Sequence, residues 1–322
     1  MRIGRHFLVL ALWCAQCQVS MAGMDEAKAA LGKGDYATAI KDFRPMAEQG
    51  DAVAQYYLGM VHANGQGVAR DYEEAAKWIR LAAGQGHAGA QYMLGLMHAL
   101  GRGVEQDDKE AAKWYRLAAE QGDANAQSKL AAMFEEGRGA AQDHKEAVKW
   151  YRLAAEQGDA YAQYKLGSKY ANGQGIARDD KEAVKWYRLA AEQGDVDAQN
   201  NLGVMCEHGR GVARDYKEAV KWYRLAAVQA DAGAQNNLGV LYRTGKGVPE
   251  NRVVAYALFI LSAANNFSPE NRAPGNRDAL ARSMSEKEIE AAEGLMREMS
   301  KLGNFEKALD RYVRNPVIKS GS

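Results

Sequence analysis

Proline is scarce in this chain, five residues in 322, and none falls between Pro45 and Pro249. Because proline breaks helices and sheet ladders, its absence from so long a middle, rich in Ala and Gly, predicts an uninterrupted helical region. Cysteine is as rare: Cys14, Cys17 and Cys206 are the whole set, which excludes a disulfide scaffold. Charge of one sign is not in excess, with Lys and Arg at 42 against Asp and Glu at 41, interleaved along the chain. That argues against nucleic acid as a partner, since affinity for phosphates comes from clustered cations. No apolar run reaches the roughly 20 residues a spanning helix needs.

The one apolar run that exists, FLVLALWCA from Phe7, follows Arg2, Arg5 and His6 and precedes VSMAG. Ser20 and Ala22 then occupy the −3 and −1 positions of a cleavage site. Residues 1–22 read as a secretory signal peptide cut after Ala22, leaving a mature chain with no membrane insertion and a periplasmic or secreted location. Trp13 and Gln16 precede the two early cysteines, which does not fit a lipoprotein signal. Cleavage would remove the Cys14–Cys17 pair and leave Cys206 alone.

What the chain has in abundance is repetition. Trp78, Trp114, Trp150, Trp186 and Trp222 are each 36 residues apart, and Leu58, Leu94, Leu130, Leu166, Leu202 and Leu238 keep step with them. So do Gln55, Gln91, Gln127, Gln163, Gln199 and Gln235. Six units therefore run over residues 51–266. In the unit from Asp159, an Asp N-cap opens a helix with Ala162, Leu166 and Tyr170 on one face. The loop NGQGIAR closes it with Gly173 and Gly175. A second helix starts at Asp179, close to a capping box with Glu182, buries Ala183, Trp186 and Ala190, and stops at Gly194. Lys185 and Arg188 are expected on the solvent side, paired with Glu182 and Glu192 at about 0.2 to 0.5 kcal/mol per pair. A mid-helix glycine recurs as Gly59, Gly95, Gly167, Gly203 and Gly239, with Ala131 in the third unit. Repeating a residue that costs a helix about 1 kcal/mol signals close helix contact. Such a hairpin cannot bury both faces alone, so the units must stack.

The run EAVKWYRLAAEQGDAYAQYKLGSKYANGQGIARDD, Glu146 to Asp180, resembles the Sel-1-like repeat, a relative of the tetratricopeptide repeat. The resemblance implies an all-α, right-handed α/α solenoid (superhelix) of 36-residue helix-turn-helix repeats. Residues 25–50 resemble a degenerate earlier unit, with KDFRPMAEQGDA in place of KWYRLAAEQGDA. Residues 267–312 are expected to form C-terminal capping helices, with a capping box at Ser285 and Glu288, and 313–322 a flexible tail. The resemblance also implies an adaptor that binds a protein or peptide partner, a host protein or an envelope component, rather than an enzyme. The alternative, a cell-wall or β-lactam hydrolase, is attached to cysteine-rich relatives whose cysteine pairs this chain lacks.

No cofactor or metal site is predicted. The G-x-G pairs lack the strand-to-helix context of a phosphate loop. His62, His98 and Cys206 share a repeat position with Phe134, Tyr170 and Tyr242, which marks it as a packing position. The Gln row stands open between two readings, a hydrogen-bond ladder inside the stack or a row of amides that clamps a peptide backbone. The candidate partner surface is a stripe on the first helices that varies while its neighbours repeat: Tyr56, Tyr57, Met60, Tyr92, Met93, Leu96 and Leu100, continued by Lys129, Glu136, Lys165, Ser168, Asn201 and His208. Either this stripe faces solvent as an interaction patch, or the degenerate unit folds over its N-terminal part.

Overall fold

The computed structural model describes residues 23–268 and 270–315. Over those residues the chain forms seventeen helices and no strand, in two compact units divided after Gln157. Residues 1–22, where a leader and its cleavage site are expected, and residues 316–322 lie outside the described residues.

The first unit contains α1 (23–32) and α2 (Tyr36–Glu48), followed by three hairpins. These are α3 (Ala52–Asn64) with α4 (Tyr72–Gly84), α5 (Ala88–Leu100) with α6 (Asp108–Glu120), and α7 (Ala124–Glu136) with α8 (His144–Glu156). The second unit contains α9 (Ala160–Asn172) with α10 (Asp180–Glu192), α11 (Val196–His208) with α12 (Tyr216–Ala227), and α13 (Ala232–Thr244) with α14 (Arg252–Asn265). It ends in α15 (Ala273–Ala281), α16 (Glu286–Met299) and α17 (Phe305–Arg314). From α2 to α8 in the first unit and from α9 to α15 in the second, each helix packs on the next, which is the all-α tandem arrangement of a solenoid.

Capping residues set the helix boundaries. Asp51, Asp123, Asp159, Asp195 and Asp231 each accept a hydrogen bond from the backbone N–H three residues on, which answers one of the four orphan donors at the start of a first helix. The expected capping box at Asp179 does not close. Glu182 donates its backbone N–H to Asp179, while its carboxylate accepts from Trp186 Nε1 at 3.2 Å and pairs with Lys185. Ser285 and Glu288 do form the full reciprocal box.

The repeated leucines form the spine of each core: Leu58, Leu94, Leu130, Leu166, Leu202 and Leu238 have no exposed surface. Beside each stands the small residue that lets the hairpin close. A β-carbon on Gly95 would lie 2.7 Å from Tyr115, and one on Gly167 2.8 Å from Tyr187, so the glycines sit under the ring of the second helix. Trp150, Trp186 and Trp222 are buried, whereas Trp78 and Trp114 are half-buried.

Arg188 departs from the sequence expectation. Its guanidinium pairs with Glu218 of the next repeat at 3.3 Å rather than with Glu192 on its own helix. In a stack of equal hairpins the residue 30 positions on lies on the adjoining second helix, and the arginine reaches across to it. At the chain's end α15 and α16 pack on α14, a helix buried on nearly every side by Val253, Val254, Ala257, Leu258 and Phe259. Helix α17 is tied to α12 by Asp310, which accepts from Arg224 at 2.6 Å. It runs to Arg314, two residues into the segment expected to be tail.

Candidate binding faces on the first helices

The Gln row is structural. Gln55, Gln91 and Gln127 are buried, and each donates its amide N–H to the carbonyl of Ala47, Ala83 or Ala119 at the end of the preceding second helix, at 3.0 to 3.3 Å. Each amide oxygen in turn accepts from the glutamine that ends its own repeat's second helix, Gln85, Gln121 or Gln157, at 2.7 to 2.9 Å. In the second unit Gln199 and Gln235 bond Ala191 and Ala227 in the same way, with Gln229 and Asn265 as their donors. The row gives each helix-terminal carbonyl a second hydrogen bond beside the one it accepts from the backbone N–H three residues on, and ties neighbouring helices together. With both ends of each amide engaged and the side chain buried, the peptide-clamp reading of this row is set aside.

The predicted stripe separates into parts with different duties. Tyr57 stacks on Phe43 of α2, with ring centroids 5.2 Å apart and planes 11° apart, and joins the core around Ala39, Phe43 and Ala47. Tyr56 meets Tyr57 edge-on at 5.4 Å and stacks on His87 at 4.6 Å. Burial raises the Tyr56 phenol above its ordinary pKa, and the neighbouring Tyr57 adds to this. These rings knit α2, α3 and the start of α5 together, so the degenerate N-terminal segment does take up part of the stripe. Met60 and Tyr92 are half-buried, and Tyr92 leans on Tyr115 at 5.8 Å.

Met93, Leu96 and Leu100 are left with a different environment. They line a cavity of about 160 Å³ with Ala63, Asn64, Met97, Tyr72 and Arg102, and Leu100 is 49% exposed. Tyr72 and Arg102 are neighbours themselves, with the guanidinium 5.5 Å from the ring centroid. Sequence reasoning missed these two walls, although a signal was present. The residue between the two loop glycines meets the first residue of the previous second helix, 30 positions back: Arg138 pairs with Asp108 at 2.9 Å, Arg210 with Asp180 at 3.0 Å, and Lys246 lies over Tyr216. The second glycine of each pair is needed for that approach, since a β-carbon on Gly103 would lie 1.9 Å from the Tyr72 carbonyl oxygen. Arg178 first, and Arg210 after it, hold the Asp180 carboxyl down at about 2.

Further along the stripe Lys129 and Glu136 are exposed on α7, and Glu136 pairs with Arg138 at 3.3 Å. On the second unit Lys165 sits over the ring of Tyr161, which is 45% exposed. Burial raises the Tyr187 phenol above its ordinary pKa while Ser168 and Asn201, beside it, act the other way, and His208 is exposed. His62 and Cys206 are buried within their own units, and burial pushes the Cys206 thiol up.

A model of the Sel1 repeat matches six consecutive segments, residues 52–87, 88–123, 124–159, 160–195, 196–231 and 232–267. The chain belongs to the Sel1 repeat family. A Sel1 repeat protein from Oxalobacter formigenes is 32% identical to it, with a TM-score of 0.66 over 74% of this chain and 96% of its own. A protective antigen present in uropathogenic Escherichia coli strains, displaying an SLR fold, is 27% identical, with a TM-score of 0.52 over 94% of this chain and 81% of its own. No curated protein matches the chain. Sel1 repeats are a protein–protein interaction scaffold, and among the described residues no helix is long and apolar enough to cross a membrane.

Proposed function

We propose that this Sel1 repeat chain is an exported adaptor that holds a protein partner on the first-helix face of its N-terminal unit. The observation that carries the reading is the cavity of about 160 Å³ bordered by Met93, Leu96 and half-exposed Leu100 and flanked by the Tyr72–Arg102 pair. An apolar pocket with an aromatic and an arginine at its rim suits a single apolar anchor side chain of a partner, the kind of contact that dominates protein interfaces. Export rests on the leader-like residues 1–22, and the native compartment is the periplasm or the cell exterior. A hydrolase role finds no support in Cys206, whose raised pKa is the opposite of what a nucleophilic thiol requires.

The test is crosslinking capture from the native envelope and culture fluid with the wild-type chain and with Met93→Ser/Leu96→Ser. Loss of a captured protein at unchanged melting temperature supports a binding face. Unchanged capture overturns it, and a large fall in melting temperature would place these residues in the core. N-terminal sequencing of the native protein checks export: a start at Gly23 is expected, and an intact Met1 would refute it.

A further inference from the structure

The second helices of the first unit carry a feature that the Met93 pocket, on the first helices, does not share. Leu81 of α4 is 52% exposed, and Leu117 of α6 and Leu153 of α8 are each 38% exposed. Single exposed leucines are ordinary, but three at one repeat position make a row. Four residues before each leucine stands an exposed lysine, Lys77, Lys113 or Lys149, and three residues after two of them an exposed glutamate, Glu120 or Glu156. Steps of four and three keep to one face of a helix. Helices α6 and α8 thus read Lys, Leu, Glu along their length, and the 36-residue repeat sets α4 beside them.

Among the described residues the three lysines form ion pairs only with Glu74, Glu110 and Glu146 of their own helices, at 3.0 to 3.5 Å. Exposed pairs of this kind are worth about 0–1 kcal/mol. Glu120 and Glu156 form no ion pair among the described residues. Helices α4 and α6 pack on the helices before and after them, and α8 on α7, which leaves the leucine row to solvent. The second unit shows what such a face accepts. On α12 the same repeat position is Leu225, which is half-buried, and there α17 lies alongside: Glu306 borders a groove with Lys217, Lys221 and Leu225, and Asp310 accepts from Arg224 at 2.6 Å. A helix bearing carboxylates covers it.

We propose that the face of α4, α6 and α8 joins two copies of the chain about a two-fold axis at Leu117. The charge pattern is its own complement. Turning α6 end for end over its copy lays Leu117 on Leu117 and Lys113 on Glu120 of the second copy, and sets Leu81 and Lys77 of α4 over Leu153 and Glu156 of the other α8. Each of these contacts recurs under the axis, as an isologous interface requires. Arg116, beside the axis, reaches away to the Phe134 ring of α7 at 5.4 Å. Three helices about 20 Å long and about 10 Å apart span roughly 600 Å², which approaches the roughly 800 Å² per partner of a stable complex. With its apolar part confined to the leucines, the pair is weak and reversible. Gly84 breaks the pattern: it stands on α4 where α6 and α8 have glutamate, so Lys149 of the second copy meets no carboxylate, and a β-carbon there would meet nothing within 4 Å.

The test is sedimentation velocity of the full chain over about 1 to 100 μM, with the melting temperature of each variant followed in dilute solution. A monomer–dimer equilibrium is expected. Lys113→Glu and Leu117→Glu should each weaken dimerisation at least about tenfold, and Lys113→Glu/Glu120→Lys should restore it. Gly84→Glu should tighten the wild-type dimer by supplying the missing partner of Lys149. All four positions are exposed, so melting of the monomer should stay unchanged. A monomer throughout the range, a dimer indifferent to Lys113→Glu, or a double exchange that stays monomeric would each overturn the proposal.

Discussion

Gly203 of α11 and Tyr223 of α12 touch so closely that a β-carbon on the glycine would lie 2.6 Å from two ring carbons. The tyrosine is fully buried and its hydroxyl donates to Glu207 at 2.8 Å, so the ring cannot swing away. Ordinarily Gly→Ala within a helix gains about 1 kcal/mol. Here Gly203→Ala should instead destabilise by about 1–3 kcal/mol through overpacking, measured by denaturant unfolding. A stabilised variant would show that the hairpin opens freely at this contact.

Gln91 joins three helices, donating to Ala83 at 3.3 Å and accepting from Gln121 at 2.7 Å. Gln91→Leu keeps the volume but leaves the Ala83 carbonyl at the end of α4 with only its bond from the Gly86 N–H, and the Gln121 amide with only its 3.5 Å contact to the Leu117 carbonyl. A loss of about 0.5–1.5 kcal/mol is expected, with faster amide exchange concentrated at residues 82–87. Exchange that quickens evenly over the whole unit would contradict a local capping role.

How far the sequence could be read follows from the geometry of these contacts. The repeat length, the helix faces and the packing glycines were legible because each depends on spacing within one hairpin: Leu94, Gly95 and the Asp N-caps declare themselves by periodicity alone. The duty of Gln91 was not legible, because an invariant amide serves a buried ladder or an exposed clamp equally well until burial is known. The pairings of Arg188 with Glu218 and Arg102 with Tyr72 were hidden for another reason. They join residues 30 positions apart, a separation that brings side chains together only once hairpins are stacked. On the candidate face, the chemistry of Met93, Leu96 and Leu100 was readable, but their separation from Tyr57 was not, since it depends on where Phe43 of the degenerate segment lands.

His87 stands where the other repeats place an N-cap aspartate, and its Nδ1 accepts the Ala90 N–H at 3.1 Å. Only a ring with an unprotonated Nδ1 can do this, and burial holds the imidazole below its ordinary pKa. Because the folded pKa is depressed, the unfolded chain binds more protons in the interval between the two values. The contribution to stability is therefore whole above the unfolded value of about 6.5 and drains away as pH falls toward the folded value. His87→Asp should remove that slope, leaving an anionic cap favoured at a helix N-terminus. Urea midpoints at pH 7.5 and pH 5 check this: the wild type should lose more stability between them than the variant. Equal losses would mean that the histidine is not acting as the cap.

Trp150 and Trp186 occupy the same repeat position, and both are 6% exposed, but their indole N–H groups have different surroundings. Trp186 Nε1 donates to Glu182 at 3.2 Å, while Trp150 Nε1 is buried with no acceptor among the described residues. Truncating either ring to Phe removes similar apolar contact, so the packing costs should nearly cancel in a comparison. The polar contributions do not cancel. Trp186→Phe also gives up a hydrogen bond to a carboxylate, worth about 1.5–3 kcal/mol. Trp150→Phe removes a buried donor whose desolvation is uncompensated and recovers part of that penalty. Trp150→Phe should therefore be the milder change by about 1 kcal/mol or more, read from paired denaturant titrations. The opposite order would show that the Trp150 N–H has a partner in solution and that the two repeats hold their indoles alike.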